Sequence, residues 1–457
     1  MSKKFDFDYL VIGSGPAGST AALILATNKK SHVAIAEGSI FGGSNLATRD
    51  IPYLVGQKFA HIFHEIKQAP EIGTQNLHFN FPTTVSHQTA VAKLLGAGST
   101  QIFENAKITC LKGFAHFLDD HTVAIGDKKF TSNVFVLATG TSLFTGDIIG
   151  LDTVGYLTPS SALRLRRLPK AITIVGGGPT GCEIAEYYAK LGSKVVLLEK
   201  ASHLLPNEDK EAGLMLRDYF THELGITVGT SAKVVAIESD SIAKRTIFKL
   251  KDQDKMVRSD CIVLATGSKP NTDCGLENAS IRLKPTGEIL VNKLFQTTAK
   301  NIFAIGDCIG GNSSSTERAE YEASILADNL INKSKNIVDH KGFIRVVNTN
   351  PEIASVGRTE AQLDKRHVKY NKSIVLIKDL PASVIDGLDY GFVKLIISRR
   401  TNHLLGATIM APGASYLAEE LALALRHHLT VRELASTPHI ANNYSYAVKL
   451  SAKKLIV

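Results

Sequence analysis

No apolar run in this 457-residue sequence approaches the ~18 residues that a membrane helix needs. The opening stretch MSKKFDFD carries no apolar region of the signal-peptide kind before the first strand pattern begins. A cytoplasmic protein is therefore expected. Cysteine is scarce and scattered. Cys110, Cys182, Cys261, Cys274 and Cys308 show no C-x-x-C or C-x-x-x-x-C spacing, which argues against a disulfide framework or a metal site and leaves reduced, mostly buried side chains. No metal is expected. Charge of one sign is not concentrated either. The formal net charge is +9, yet Lys and Arg are scattered and their clusters are as short as Arg164, Arg166 and Arg167. That speaks against nucleic acid or a membrane surface as a partner, and for a solvated basic surface that attracts phosphate-bearing cofactors. The chain is too long for one hydrophobic core, so two to four domains are expected.

What is present begins at Tyr9. The apolar run Tyr9, Leu10, Val11 and Ile12 suits a buried parallel strand. Gly13, Gly15 and Gly18 follow at G-x-G-x-x-G spacing and open a helical pattern, Ser19 to Ala26. The first glycine allows a tight turn, the second lets backbone approach a pyrophosphate, and the third lets helix and strand pack closely. The next strand, His32 to Ala36, ends in Glu37, 19 residues after Gly18. A carboxylate there accepts hydrogen bonds from an adenine-ribose hydroxyl.

The pattern recurs. The strand pattern Ala171 to Val175 leads into Gly176, Gly178 and Gly181, then a helix, Cys182 to Leu191, then the strand Lys194 to Leu198 and Glu199, 18 residues past Gly181. Two fingerprints imply two dinucleotides. Glu199 favours NAD over NADP, because a carboxylate repels a 2′-phosphate; Lys200 and His203 stand close enough to temper that preference. An Ala-Thr-Gly segment follows a strand twice, at 138–140 and 265–267, as duplication of a nucleotide-binding unit would leave it. Elsewhere the patterns predict helices over Phe59 to Ile66 and Thr89 to Leu95, and a strand over Cys110 to Phe117. His61 and His64, three residues apart, are expected on a helix surface rather than at a metal.

Several longer segments carry a resemblance. Gly42, Gly43 and Pro52 fit the frame G-G-T-C-x-x-x-x-C-x-P, Thr298 to Asp307 reads TAKNIFAIGD, Arg345 to Gly357 reads RVVNTNPEIASVG, and the end reads HIANNYSY over 439–446. In these the chain resembles the two-dinucleotide-binding-domain flavoproteins of the pyridine nucleotide-disulfide oxidoreductase family, which includes glutathione reductase, lipoamide dehydrogenase and mercuric reductase. The resemblance covers essentially the whole chain. It implies an α/β fold with two Rossmann-like domains, for FAD and NAD(P), plus a C-terminal α+β dimerisation domain. The expected boundaries are 1–155 and 273–342 for the two parts of the FAD domain, 156–272 for the NAD(P) domain and 343–457 for the interface domain. It implies FAD contacts from Gly13, Gly15, Pro16, Ala17, Gly18, Glu37, Gly43, Ser44, Ala115, Thr139, Gly140, Gly306, Asp307, Ser315 and Thr316. Gly176, Gly178, Gly181, Glu199 and Gly267 would hold NAD(P)H, with NADH preferred.

The departures from the family are as informative. Asn45 and Asp50 stand at the two redox-cysteine positions, and Tyr53 or Leu54 replaces the lysine that follows. Glu183 retains the family's glutamate but loses that lysine as its partner; its pKa rises if the site stays dry, or it finds another partner. In the closing motif Ala441 falls on the catalytic histidine, Tyr446 on its glutamate and His439 on the earlier, non-catalytic histidine; a two-residue shift would make His439 the base. Cys308 reads either as a flavin-side thiol or, preferably, as a packed one. Disulfide exchange needs two thiols and a base. The expectation is therefore a homodimeric flavoenzyme that passes hydride from NADH to FAD and on to a small-molecule acceptor such as a quinone, a small oxidant or oxygen. Asp50 and Glu183 are the candidate catalytic residues, with a helix cap or spacer the equal alternative for Asp50. A transhydrogenase and a non-catalytic flavin-binding redox sensor are the rival readings.

Overall fold

The computed structural model describes residues 5–69, 77–240, 242–311 and 315–456. The N-terminal tetrapeptide and part of the loop expected after the first long helix, 70–76, lie outside them. The chain forms two compact units. One comprises Met1–Gly56, Pro82–Phe144 and Ser268–Asp339, the other Gln57–Phe81, Thr145–Gly267 and His340–Val457.

The first unit is built on a seven-stranded sheet. Its order runs Thr109–Lys112, Val33–Glu37, Phe7–Ile12, Lys128–Leu137, Thr122–Ile125, Ala115–Phe117, with Ile302–Ala304 also pairing with Lys128–Leu137. The pairings around Phe7–Ile12 are parallel, with Leu10 between Ala34 and Phe135. That central strand ends in the continuous apolar run Leu10, Val11 and Ile12, all buried, as a strand covered on both faces requires. The helix Pro16–Leu25 turns Ala17, Gly18, Ala21, Ala22 and Leu25 inward. These small residues let it pack closely against the helix Thr316–Asn332.

Two local expectations differ from the structure. The helix expected at Thr89 to Leu95 runs from Phe81 to Asn105. Gly96 does not break it, because tertiary packing against Ile40 and Leu46 occupies the space beside it. The strand expected over Cys110 to Phe117 is two strands. Gly113, at φ +141°, ends the one that pairs parallel with Val33–Glu37, and Ala115–Phe117 then pairs antiparallel with Thr122–Ile125.

The second unit holds a four-stranded parallel sheet, ordered Thr227–Gly229, Lys194–Leu198, Ala171–Val175, Cys261–Leu264. Its C-terminal part is a five-stranded antiparallel sheet, ordered Ile344–Val347, Glu352–Gly357, Leu404–Ala411, Phe392–Ser398, Tyr370–Leu376. The helix Ala414–Arg426 covers it through Ala414, Ala418, Leu421 and Ala424, spaced three or four apart on one helical face. The molecule is thus an α/β protein. Among the described residues no helix is long and apolar enough to cross a membrane.

A polar clamp ties the start of the helix Lys210–His222 to the C-terminal sheet. Arg345 grips Glu208 with two bonds of 2.9 Å. Lys394 is fully buried, with its ammonium 2.8 Å from Glu211 and 3.3 Å from Asp209 and in contact with Glu360. Lys372 reaches Glu360 at 2.8 Å, and Thr408 donates to Asp209 at 2.8 Å. Burial pushes the Glu360 carboxyl up, but hydrogen bonds from Lys372, Lys394 and Tyr370 win and hold it near 2. Replacing Lys394 by Ala leaves these carboxylates facing one another with their central cation gone. The expected loss is about 3–5 kcal/mol in urea unfolding at neutral pH, whereas a loss under about 1 kcal/mol would show that the clamp is not needed.

Candidate functional site

Close approach of backbone to backbone shapes the first glycine turn. Gly13 has φ +100°, and a Cβ there would lie 2.2 Å from the carbonyl oxygen of Ala138. A Cβ on Gly18 would lie 1.9 Å from the carbonyl oxygen of Gly13. Gly15 is different: a Cβ there would meet nothing within 4 Å. Its open side faces a cavity of about 880 Å³. Of the positions expected to contact FAD, Gly13, Gly15, Pro16, Ala17, Glu37, Gly43, Ser44, Ala115, Thr139, Gly140, Gly306, Asp307, Ser315 and Thr316 all line this one cavity, and so does Asp50. Gly18 is not among the lining residues and serves the packing of the turn. The unfilled space at Gly15, the helix start at Pro16 and the carboxylate of Glu37 fit a dinucleotide in chemistry and in size.

Glu37 is oriented by backbone and hydroxyl donors. The Ser14 amide and hydroxyl donate to Oε2 at 3.0 and 2.7 Å, and the Ser39 amide donates to Oε1 at 2.7 Å. The Ser14 hydroxyl also accepts from the Gly42 amide at 3.0 Å. Ser14 thereby joins the turn, the acid and the loop that leads to Gly43. Sequence reasoning passed over Ser14 because it fills a variable place in the fingerprint.

At the Gly306 end, the peptide group is held from both sides. Glu322, fully buried, accepts from the Gly306 amide at 2.9 Å; Arg318 donates to Glu322 at 2.7 Å and to the carbonyls of Gly306 and Gly310. This pair was also missed, and its only sequence signal is an i, i+4 charge spacing on a helix. Asp50 opens the helix Asp50–Gln68, where a carboxylate suits the positive helix end, and accepts from Arg49 Nε at 3.1 Å. The Asn45 side chain lies outside the described part of the molecule.

All five cysteines are free thiols. Cys274 lines the cavity, but burial pushes its thiol up to about 12. Burial likewise pushes the Cys308 thiol up to about 11, and it donates to the Ile305 carbonyl at 3.2 Å. Neither has the low pKa of a reactive thiolate.

The second turn, in the other unit, repeats the first. A Cβ on Gly176 would lie 2.3 Å from the Ala265 carbonyl oxygen and one on Gly181 1.8 Å from that of Gly176, while Gly178 and Gly267 face open space. Glu199 accepts from the Gly177 amide at 2.6 Å and the Ala201 amide at 2.7 Å. Gly177 stands where the first turn has Ser14, so the hydroxyl link is missing here.

Glu183 is held by Asn348, in line with the expectation that it finds a partner other than a lysine. One carboxylate oxygen accepts from the Asn348 amide at 2.9 Å and from its side-chain Nδ2 at 3.0 Å. One helical turn on, Glu186 accepts from the Asn350 amide at 2.8 Å and pairs with the buried Lys190 at 3.0 Å. The Asn350 side-chain nitrogen lies 2.6 Å from His61 Nδ1. His61, expected on a helix surface, is half-buried in this network, because the segment around Asn350 packs over it. His439 lies 3.0 Å from Glu420 and 2.9 Å from the Thr437 carbonyl.

Residues 7–323 match the family described as pyridine nucleotide-disulphide oxidoreductase, and residues 344–452 match its dimerisation domain. A mercuric reductase of Streptomyces lividans is 30% identical over 98% of this chain and 96% of its own. A dihydrolipoyl dehydrogenase of Bacillus subtilis is 30% identical over 94% of this chain and 93% of its own. Among solved structures, the HOCl-induced flavoprotein disulfide reductase RclA from Escherichia coli superposes with a TM-score of 0.87 at 24% identity, covering 98% of this chain and 99% of that one.

His61 supplies a pH test of the network. Burial, then the charges of Lys190 and His64, lower it from 6.5 to about 4, and the exposed Glu65 carboxylate at 2.9 Å does not offset them. The unfolded chain therefore binds more protons than the folded one between these values, so stability falls as pH drops from 6.5 towards 4. Substituting His61→Asn should flatten that part of the profile of urea midpoint against pH. An unchanged slope would mean that His61 is not held neutral.

Proposed function

Because the chain belongs to the pyridine nucleotide-disulphide oxidoreductase family, we propose that it is an FAD-dependent enzyme oxidising NADH and reducing a small non-disulfide acceptor such as a quinone, another small oxidant or oxygen. The observation that carries this reading is the contrast around one cavity. The positions suited to a dinucleotide converge on it, while Asp50 lines the wall where the family frame has a cysteine, and the one cysteine that does line it has a raised pKa.

The flavin, when bound, supplies the hydride-accepting and electron-donating chemistry. The chain's own residues bind and orient. Gly15 and the helix start at Pro16 would receive the pyrophosphate, Glu37 the adenine ribose, and Asp307 the ribityl chain. Gly176, Gly178, Gly181 and Gly267 would cradle the nicotinamide nucleotide. Asp50 and Glu183, the latter fixed by Asn348, are assigned as the candidate catalytic carboxylates. The four-part division at 155, 272 and 342 goes with this assignment. So does a homodimer formed through the C-terminal domain, in the reducing cytoplasm that five free thiols suit.

An anaerobic titration of the holoprotein with NADH, followed by its absorption spectrum, tests the reading. Full bleaching at one NADH per flavin, without a long-wavelength thiolate-to-flavin band, is expected. A requirement for two equivalents, or the appearance of that band, would reveal a working thiol pair and overturn it. Glu199 provides a separate test of nucleotide choice. With both oxygens already fixed by backbone amides, its charge stays beside the ribose and disfavours a 2′-phosphate. Glu199→Ser should reduce the ratio of kcat/KM for NADH over NADPH about tenfold, ~1.4 kcal/mol; an unchanged ratio would remove Glu199 from that role.

A further inference from the structure

Two helices and one loop segment meet along a polar seam in the second unit. The helix Pro179–Lys190 presents Glu183, Glu186 and Lys190 at i, i+3 and i+7, on one face. The helix Asp50–Gln68 presents Gln57 and His61 at i, i+4. Asn348 and Asn350 bond to both helices. The Asn348 amide and Nδ2 donate to Glu183, and its carbonyl accepts from Gln57 Nε2. The Asn350 amide donates to Glu186, and its side-chain nitrogen lies beside His61. Burial pushes the Glu186 carboxyl up, against the charge of Lys190, the Asn350 amide and the Gln57 side chain, which all favour its ionised form.

Two N–H groups of one residue thus converge on a single Glu183 oxygen. They fix that carboxylate only as firmly as Asn348 is itself fixed. The strand Ile344–Val347 cannot do this, because its ladder with Glu352–Gly357 ends at Val347. The anchor comes from the side: Gln57 holds the Asn348 carbonyl, so one peptide is gripped at its oxygen while the same residue's N–H groups point at Glu183. A carboxylate oriented in this way depends on a group that does not touch it. We propose that Gln57 is a positioning residue for Glu183, acting through Asn348 to set the direction of the carboxylate. The proposal rests on the reading of Glu183 as a catalytic carboxylate.

Two measurements test it. The first is residue-resolved amide exchange of the full chain, which needs no activity. Gln57→Ala should speed exchange of the Asn348 amide about tenfold, as loss of a local anchor does; an unchanged rate would overturn the proposal. The second is anaerobic stopped-flow reduction of the holoprotein by NADH. Gln57→Ala should lower the limiting rate of flavin reduction about tenfold and leave the Kd for NADH unchanged. In a Glu183→Gln background the same substitution should cause no further loss, because Gln57 acts only through Glu183. Equal losses in both backgrounds would make Gln57 merely structural and would also overturn the proposal. Gln57→Met keeps the length and removes the donor, so it should reproduce both effects should Gln57→Ala fail to fold. The two readings fail separately. If Glu183→Gln kept the natural limiting rate while Gln57→Ala still sped exchange at Asn348, the catalytic reading of Glu183 would fall and the anchor would stand.

Discussion

The fold is anchored by a distance too short for a side chain. At Gly18 the carbonyl oxygen of Gly13 occupies the place where a Cβ would begin, 1.9 Å away. That contact sets the helix Pro16–Leu25 hard against the end of the central strand, so its first turn points into the cavity and not into the core. The same contact recurs at 1.8 Å between Gly181 and Gly176. Everything that gives either turn a chemical use depends on it: the open side of the middle glycine, the carboxylate at the end of the next strand, and the helix start between them. A methyl group at either third glycine would have to push a backbone carbonyl aside.

The two turns share this frame and differ in their bracing. In the first, the Ser14 hydroxyl connects Glu37 to the Gly42 amide, so acid, turn and neighbouring loop share one atom. In the second, Gly177 offers only its amide to Glu199. Behind the cavity lining, the Arg318–Glu322 pair fixes the Gly306 peptide, next to Asp307. Polar groups that line the cavity are thus held by other polar groups buried behind them.

The parts of the site that were legible in the sequence are those encoded within about 30 residues. The glycine spacings, Glu37 and Glu199 belong to single strand–turn–helix–strand units, and each sits at the end of a strand that the apolar pattern already marks. Ser14 and the Arg318–Glu322 pair went unread because a variable fingerprint place and an i, i+4 charge spacing are unspecific local signals, and the other missed parts depend on partners far away in sequence. Nothing near Glu183 announces Asn348, 165 residues on, and Lys394 has its carboxylates at 209, 211 and 360. The helix Phe81–Asn105 was under-read for a related reason: its polar and glycine positions weaken the local signal, and packing supplies what propensity does not.

The clamp around Lys394 also bears on how this sequence can change over generations. Its ammonium offsets carboxylates contributed by the start of one helix and by the entry to another, and Lys372 completes the set. Losing the lysine leaves the buried Asp209 and its neighbouring carboxylates without their central cation, while losing one acid leaves the fully buried lysine under-compensated. Positions 209, 211, 360, 372 and 394 are consequently not free to drift one by one. They form a block that is inherited or replaced together, and a lineage could exchange it for apolar packing only by passing through an intermediate less stable than either end.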